Sequence, residues 1–500
     1  MKIALGTFAF IFANLVQSAS VVDKENTVVV TTPKLIFQLA SKRHGMGILS
    51  IKSKKGVEFI QRPVIPGKAK LWRVKLTDDY SRKDNFITVY NYSPCRKKSV
   101  VNDKGTVKLV WQGVDVGNDK GALDVTMTIA QDPVSGLNSF KIGIVNHSKK
   151  YGIWHIYSPE LALGQIGKSP NDDYLLMCPA EGRAVHNAIY WDRERKIEKD
   201  KFMLTTDEMA KIDNKQPSTG YGFGSHEPYG LPYPTARGQM QLNAYYQKSG
   251  NFYYPGTEKG PGLYLSAHDN ESNPKVFYAT GEPKNKLLRF AVGQFPADSA
   301  KPGLDYRQQW PMIVDYFEGD WYDASMIYRK FALKAPWTRV GTLAARKDVP
   351  EWLKKTTVWL RLSNDRGRRI SAWDNIVTDY RKRLHGVLAV QWYAWDNALK
   401  KKYRGCGSFP PIPDAQKGFG QIVGNWEKQN IFVTPYVNSR LWCKKDPNQE
   451  TRRDFKTALP HIQKKADGQL AFWGNKKNEY FKLCLHRKFW QDYLADTCYD

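Results

Sequence analysis

Residues 431–443 read IFVTPYVNSRLWC. Ile431, Phe432 and Val433 open the stretch as a buried strand, with β-branched and aromatic residues in succession. Tyr436, Asn438, Arg440 and Trp442 close it with phenol, amide, guanidinium and indole groups. Such groups are costly inside an apolar core unless each finds a hydrogen-bond partner. An apolar strand that turns polar at its C-terminal end is the pattern of a parallel sheet, where the loops after the strands form the ligand site.

Two earlier stretches share that pattern. TTVWLRLS (356–363) is an apolar strand that runs into Arg361, Asn364 and Asp365. VLAVQWYAW (387–395) is apolar at nearly every position, as for a strand covered on both faces, and leads into Trp392, Tyr393, Trp395 and Asp396. Helical periodicity fills the gaps. WDNIVTDYRKRL (373–384) puts Trp373, Ile376, Val377, Tyr380 and Leu384 on one face, with Gly386 suited to the position after the helix. Pro413-Asp414 opens a second helix through Phe419, Ile422, Val423 and Trp426, and Phe489, Trp490, Tyr493 and Leu494 mark a third. Three consecutive strand–helix units predict a TIM-type (β/α)8 barrel or a doubly wound sheet, with the barrel preferred. A barrel takes about 250 residues. Residues 356–500 supply 145, so the expectation is the first three βα units of a barrel, incomplete in this chain.

Upstream the rhythm is β. TVVVTT, LIFQLA, LWRVKL, TVKLVW, LDVTMTI and FKIGIV, and later MQLNAYYQ, GLYLSAHD and LLRFAVGQF, alternate or run apolar between Gly, Asp, Asn and Pro turns. They predict a large antiparallel β-sandwich over 20–310, with the charged 192–218 segment as a loop or short exposed helix. GDWYDASMIYRKFALKAPW (319–337) reads as a helix capped by Asp320 and stopped at Pro336, inside a linking region 311–355. The fold class expected is therefore multidomain, β followed by α/β.

A formal charge of +27 attracts polyanions. The Lys and Arg residues are nevertheless scattered in short clusters, such as Arg96-Lys97-Lys98 and Lys400-Lys401-Lys402, with no helix-turn-helix, zinc-finger or RNP pattern. The N-terminus MKIALGTFAFIFANLVQSAS has one Lys, an apolar stretch and then small residues, as a secretory signal over 1–19 does. Export to the periplasm or medium argues against a nucleic-acid partner, and no run is long enough for a transmembrane helix. Six cysteines without a C-x-x-C pair lack zinc-ligand spacing, and no cofactor is expected. One or two disulfides are expected among Cys406, Cys443, Cys484 and Cys498.

Several motifs match a known pattern in order: LWRVKL (71–76), DDYLLMCPAEGR (172–183), GLYLSAHD (262–269), GDWYDASMIYRKFAL (319–333), QWYAWDN (391–397) with FPPIPDAQKGF (409–419), and VTPYVNSRLW (433–442). On these, roughly from 70 to 500, the chain resembles an uncharacterised, glycoside-hydrolase-like family of exported bacterial proteins known as a domain of unknown function. More broadly it is similar to retaining α-glycosidases in which a galactose-mutarotase-like sandwich precedes a TIM barrel. The resemblance implies cleavage of a polysaccharide by two carboxylates about 5–5.5 Å apart, on strands beyond the end of this chain. Asp365, Asp396 and Asp500 are not assigned that role. It also implies a substrate-binding set: Trp392 and Trp442 stacking on sugar rings, with Asp396, Tyr436, Asn438 and Arg440 contacting hydroxyls or an acidic group. The basic charge adds the narrower expectation of an anionic, sulfated or uronic glycan. A lysine-rich surface indifferent to substrate explains the charge equally well. The alternative is a non-catalytic carbohydrate-binding or cell-surface protein.

Overall fold

The computed structural model describes residues 19–78, 86–178, 182–190, 231–233, 240–248, 259–297, 301–363, 370–393, 395, 418–444, 455–464, 468–473, 480–485 and 487–499. Residues 1–18 of the expected secretory signal, the charged 192–218 segment and Pro413-Asp414 lie outside them. The chain divides into two compact units, Met1–Arg339 and Val340–Asp500.

In the first unit every stretch read as a strand forms one, in antiparallel sheets of ten, six and four strands among the described residues. The four-stranded sheet follows chain order from Ser20–Asp23 to Ile48–Ser53. At the middle of the six-stranded sheet, Lys275–Glu282, Leu287–Gln294, Gly152–Leu163 and Arg73–Thr77 lie side by side. Period-two alternation sends Phe37, Val74, Leu76, Trp111, Met127, Phe277 and Phe290 into one shared core. Trp72 and Trp111 meet edge to face there, ring centres 5.3 Å apart.

The helix predicted around 319–337 runs from Trp321 to Ala332 and starts in a capping box. The Asp320 carboxylate accepts from the Tyr322 amide at 2.8 Å, and Asp323 accepts from the Asp320 amide at 3.1 Å. It is not part of a separate linker. Ala324 and Tyr328 bury against Leu176, Tyr246, Tyr264 and Phe317 of the ten-stranded sheet, and the division between units falls after it, at Arg339.

Two of the motifs that carry the family resemblance act as turn locks. Asp173 of DDYLLMCPAEGR accepts from the amides of Ile166 and Gly167 at 2.7 and 2.8 Å and from the Tyr245 hydroxyl at 2.8 Å. Asp269 of GLYLSAHD accepts from the amides of Glu271 and Asn273 and pairs with Lys275 at 2.7 Å. The Lys275 ammonium also faces the rings of Tyr233 and Trp310 at 4.7 and 4.5 Å. Burial draws its pKa down to about 8 against the pull of Asp269.

The second unit holds three parallel strands, Thr356–Ser363, Val387–Tyr393 and Ile431–Pro435, in chain order. Helices Asp374–Arg383 and Phe419–Glu427 follow the first and second strands, and helix Lys488–Tyr499 carries the third predicted pattern. Gly386 has φ of 90°, as its place after the first helix requires. One sheet face is packed: Leu362, Leu388, Val390, Trp392 and Ile431 meet Val377 and Trp426 of the helices. The other is not. Trp359 is 49% exposed, and Arg361 and Gln391 are exposed, so the middle strand is not sealed on both sides as its composition implied. The predicted face of the first helix also narrows: Val377 is buried, whereas Ile376 and Tyr380 are exposed. A small antiparallel sheet of Leu441–Cys443, Tyr480–Lys482 and Phe472–Trp473 completes the unit. Cys484 is a free thiol, so it forms none of the expected disulfides. Cys406 and the side chains of Cys443 and Cys498 lie outside the described residues.

Candidate functional site

The parallel register brings Ser363 beside Tyr393 and Trp392 beside Pro435, so the three strands end together. At that end alternation decides which side chains reach the open face. Tyr393 does, and its ring lies 4.8 Å from that of Tyr436, which is 41% exposed. The Arg361 guanidinium stands 5.6 Å from the Tyr393 ring, within cation–π reach. Tyr480, from the small sheet, is buried close by. Burial, and then the charge that an ionised Tyr393 would carry, push its phenol up to about 12, so it is a neutral hydroxyl at any physiological pH.

The loop after the third strand is held by its backbone. Trp395 Nε1 donates to the Tyr436 carbonyl at 3.0 Å, and Trp490 Nε1 donates to the Ser439 carbonyl at 2.8 Å. The Leu483 amide donates to the Arg440 carbonyl at 2.8 Å. Two indoles therefore hold the loop through its backbone carbonyls. Asn438 serves the turn itself: its Oδ1 accepts from the amides of Arg440 and Leu441 at 3.0 and 3.2 Å, an Asx-type arrangement.

The six sequence-predicted site residues thus part company. Tyr436 is exposed, and Asn438 and Arg440 are partly exposed, on the braced loop at the strand ends. Asp396 lies outside the described residues. Trp392 is fully buried, with its ring 5.4 Å from Trp426 and 5.5 Å from Phe419, on the helix-packed face of the sheet. Trp442 packs on Trp490 and Tyr493 at 6.0 and 5.3 Å in a second small core. Both indoles are core groups in this structure, and neither presents a ring face as a sugar platform would. Tyr480 and Trp490 were not anticipated. Both come from segments far along the chain, and no local spacing ties them to the strand ends.

Among the described residues, what the rim offers chemically is a pair of tyrosine faces flanked by guanidinium and amide groups. Those groups bind and orient hydroxyls and ring faces. They do not supply an acid and a nucleophile for bond cleavage.

Comparison with known proteins places the chain among glycosidase-like folds. A Monosiga brevicollis protein named "Putative glycoside hydrolase 22789" is 26% identical over 201 residues, 37% of this chain. A Bacteroides thetaiotaomicron protein named "Putative glycoside hydrolase" is 24% identical over 281 residues, 54% of this chain. The chain spans 17% of the first relative's length and 38% of the second's. Among solved structures, the α-N-acetylgalactosaminidase NagBb from Bifidobacterium bifidum superposes with a TM-score of 0.58 at 12% identity, over 94% of this chain and 67% of that one. That likeness establishes a shared fold. Residues 306–500 match the family described as domain of unknown function (DUF6259), so over that stretch the chain is similar to this uncharacterised family.

Proposed function

We propose that this chain is the N-terminal part of an exported glycoside hydrolase acting on a polysaccharide. In this reading the three parallel strands begin a (β/α)8 barrel, and further strands encoded beyond residue 500 carry the two catalytic carboxylates. The observation that carries the reading is the common strand-end rim, where Arg361, Tyr393 and Tyr436 meet and the loop bearing Asn438 and Arg440 begins. Function at the C-terminal ends of parallel strands is the rule for barrels. The exposed second face of the sheet, with Trp359, Arg361 and Gln391, supports it further, because that face is the one a closed barrel would cover. The leader MKIALGTFAFIFANLVQSAS supports export.

The rim's role is binding. Tyr436 and Tyr393 offer ring faces to a pyranose, and Asn438 with Arg440 hydrogen-bonds hydroxyls or an acidic substituent. A planar guanidinium suits carboxylate or sulfate because it meets two oxygens at once. The first test is the intact mass of the native exported protein. A mass larger than 500 residues less the leader by tens of kilodaltons is the expected result, and the complete protein then releases reducing ends from a glycan panel. A mass equal to this chain overturns the barrel and leaves a binding protein.

A further inference from the structure

In the six-stranded sheet of the first unit, the face turned away from the core is neither apolar nor open. Antiparallel sheets usually show one face to water, yet Arg73, Lys75, His155, Glu160 and Thr280 are all buried here. Burying ions costs several kcal/mol each unless they are paired, and Arg73 and Glu160 are. The Glu160 carboxylate meets Lys70 Nζ at 2.8 Å and Arg73 Nε at 2.9 Å, and Arg289 meets Glu282 at 2.6 Å. The Arg73 guanidinium lies 3.8 Å from the Tyr157 ring. Against the effect of burial, Arg73, Lys70 and Arg289 hold Glu160 down at about 2.

One end of this charged face opens into a cavity of about 490 Å³, entirely within the first unit. Small-ligand sites run from about 300 to 1,000 Å³. Its lining is of two kinds. Part is apolar, including Pro63, Val64 and the exposed Ile65, and part is charged, with Lys70, Glu160, Glu282 and Arg289. The lining cations Arg62, Lys68, Lys70 and Arg289 outnumber the lining carboxylates Glu160 and Glu282. Glu58 lies behind Arg62 and Arg73 behind Glu160, so the positive excess survives the pairing. Lys68 stands exposed at the rim.

We propose that this cavity is a binding site for an acidic sugar, one bearing a uronate or sulfate group. The acid group sits toward Lys68 and Lys70, the C–H face of the ring lies on Pro63 and Ile65, and hydroxyls donate to Glu160 and Glu282. A neutral sugar would leave the cationic excess uncompensated. A bare oxyanion would leave the apolar lining unused. The choice of a saccharide rests on the carbohydrate reading above; the acidic class rests on the lining charges.

The test is calorimetric titration of the purified chain with a galacturonate dimer. A galactose dimer and sodium sulfate, each at matched ionic strength, serve as comparisons. The dimer of the acid is expected to bind saturably and the other two far more weakly. Lys68→Glu touches no buried pair, should leave the unfolding midpoint unchanged, and should weaken binding about tenfold. Lys70→Gln should do the same at some loss of stability. Unchanged binding in Lys68→Glu overturns the location. Equal affinity for the galactose dimer overturns the acidic class, and equal affinity for sulfate overturns the sugar. Binding is read without turnover, so a full-length protein that hydrolyses nothing leaves this result standing. Absence of binding by all three probes removes this site and leaves the hydrolase reading untouched.

Discussion

The six-stranded sheet of the first unit and the three-stranded sheet of the second each have one face in a core, and each carries charged and aromatic residues on the other. In the first, Arg73, Lys75, His155 and Glu160 are sealed from water, and Arg73 is paired with Glu160. In the second, Trp359, Arg361 and Gln391 remain exposed. Polar content on a sheet face therefore does not by itself mean a solvated surface or a site. Burial turns such groups into a charge network whose disruption unfolds the sheet. Exposure leaves them able to meet a ligand at little cost in stability.

The largest effects should separate the two units. Arg73→Met leaves Glu160 buried with Lys70 as its remaining salt-bridge partner and should cost the first unit about 3–5 kcal/mol. Trp392→Ala opens a cavity between the parallel strands and their helices and should cost the second unit a similar amount, about 3–5 kcal/mol. Urea unfolding followed by tryptophan fluorescence and by limited proteolysis should show each substitution moving only its own unit's transition. A shift of both transitions by either variant would break the distinction.

Acid should strike the first unit through Glu160. Its folded pKa of about 2 lies below its ordinary 4.5, so the unfolded state binds the proton first. The stabilisation is complete above pH 4.5 and disappears as the pH falls from there toward 2, at most about 3 kcal/mol. Urea midpoints measured across that window should fall for the wild type and flatten for Glu160→Gln. Smaller again is Asp320→Ala, which removes the cap of helix Trp321–Ala332 and should cost the first unit about 1 kcal/mol by the same unfolding assay. Smallest in stability is Tyr436→Ala, at less than about 0.5 kcal/mol. In the complete protein it should nonetheless weaken glycan affinity about tenfold. A Tyr436 variant that destabilises the unit without changing affinity would make the rim part of the scaffold.

The strand and helix pattern was readable because it depends on short-range spacing. LWRVKL and LLRFAVGQF alternate with the pleat, Asp320 caps the helix it precedes, and Gly386 takes the positive φ that follows the first helix of the parallel sheet. The location of the rim was readable too, because parallel strands order their ends. Which aromatic side chains face a ligand was not. Trp392 and Tyr393 are neighbours on one strand and point to opposite faces, and only the packing of Trp426 and Phe419 marks the Trp392 side as core. Trp442 was hidden in the same way by Trp490 and Tyr493, contributed about fifty residues later.

By itself the sequence determined the order of elements, the change from antiparallel to parallel strands, the caps, and a net charge that favours acidic partners. These are properties of neighbouring residues and of sums over the chain. Tertiary structure alone decided which face of each sheet is covered. It buried Arg73 and Glu160 and kept Arg361 and Tyr436 at the surface. The physical reason is that a period of two assigns residues to two faces without saying which face is packed. That choice belongs to segments distant in sequence, whose contacts no local pattern records.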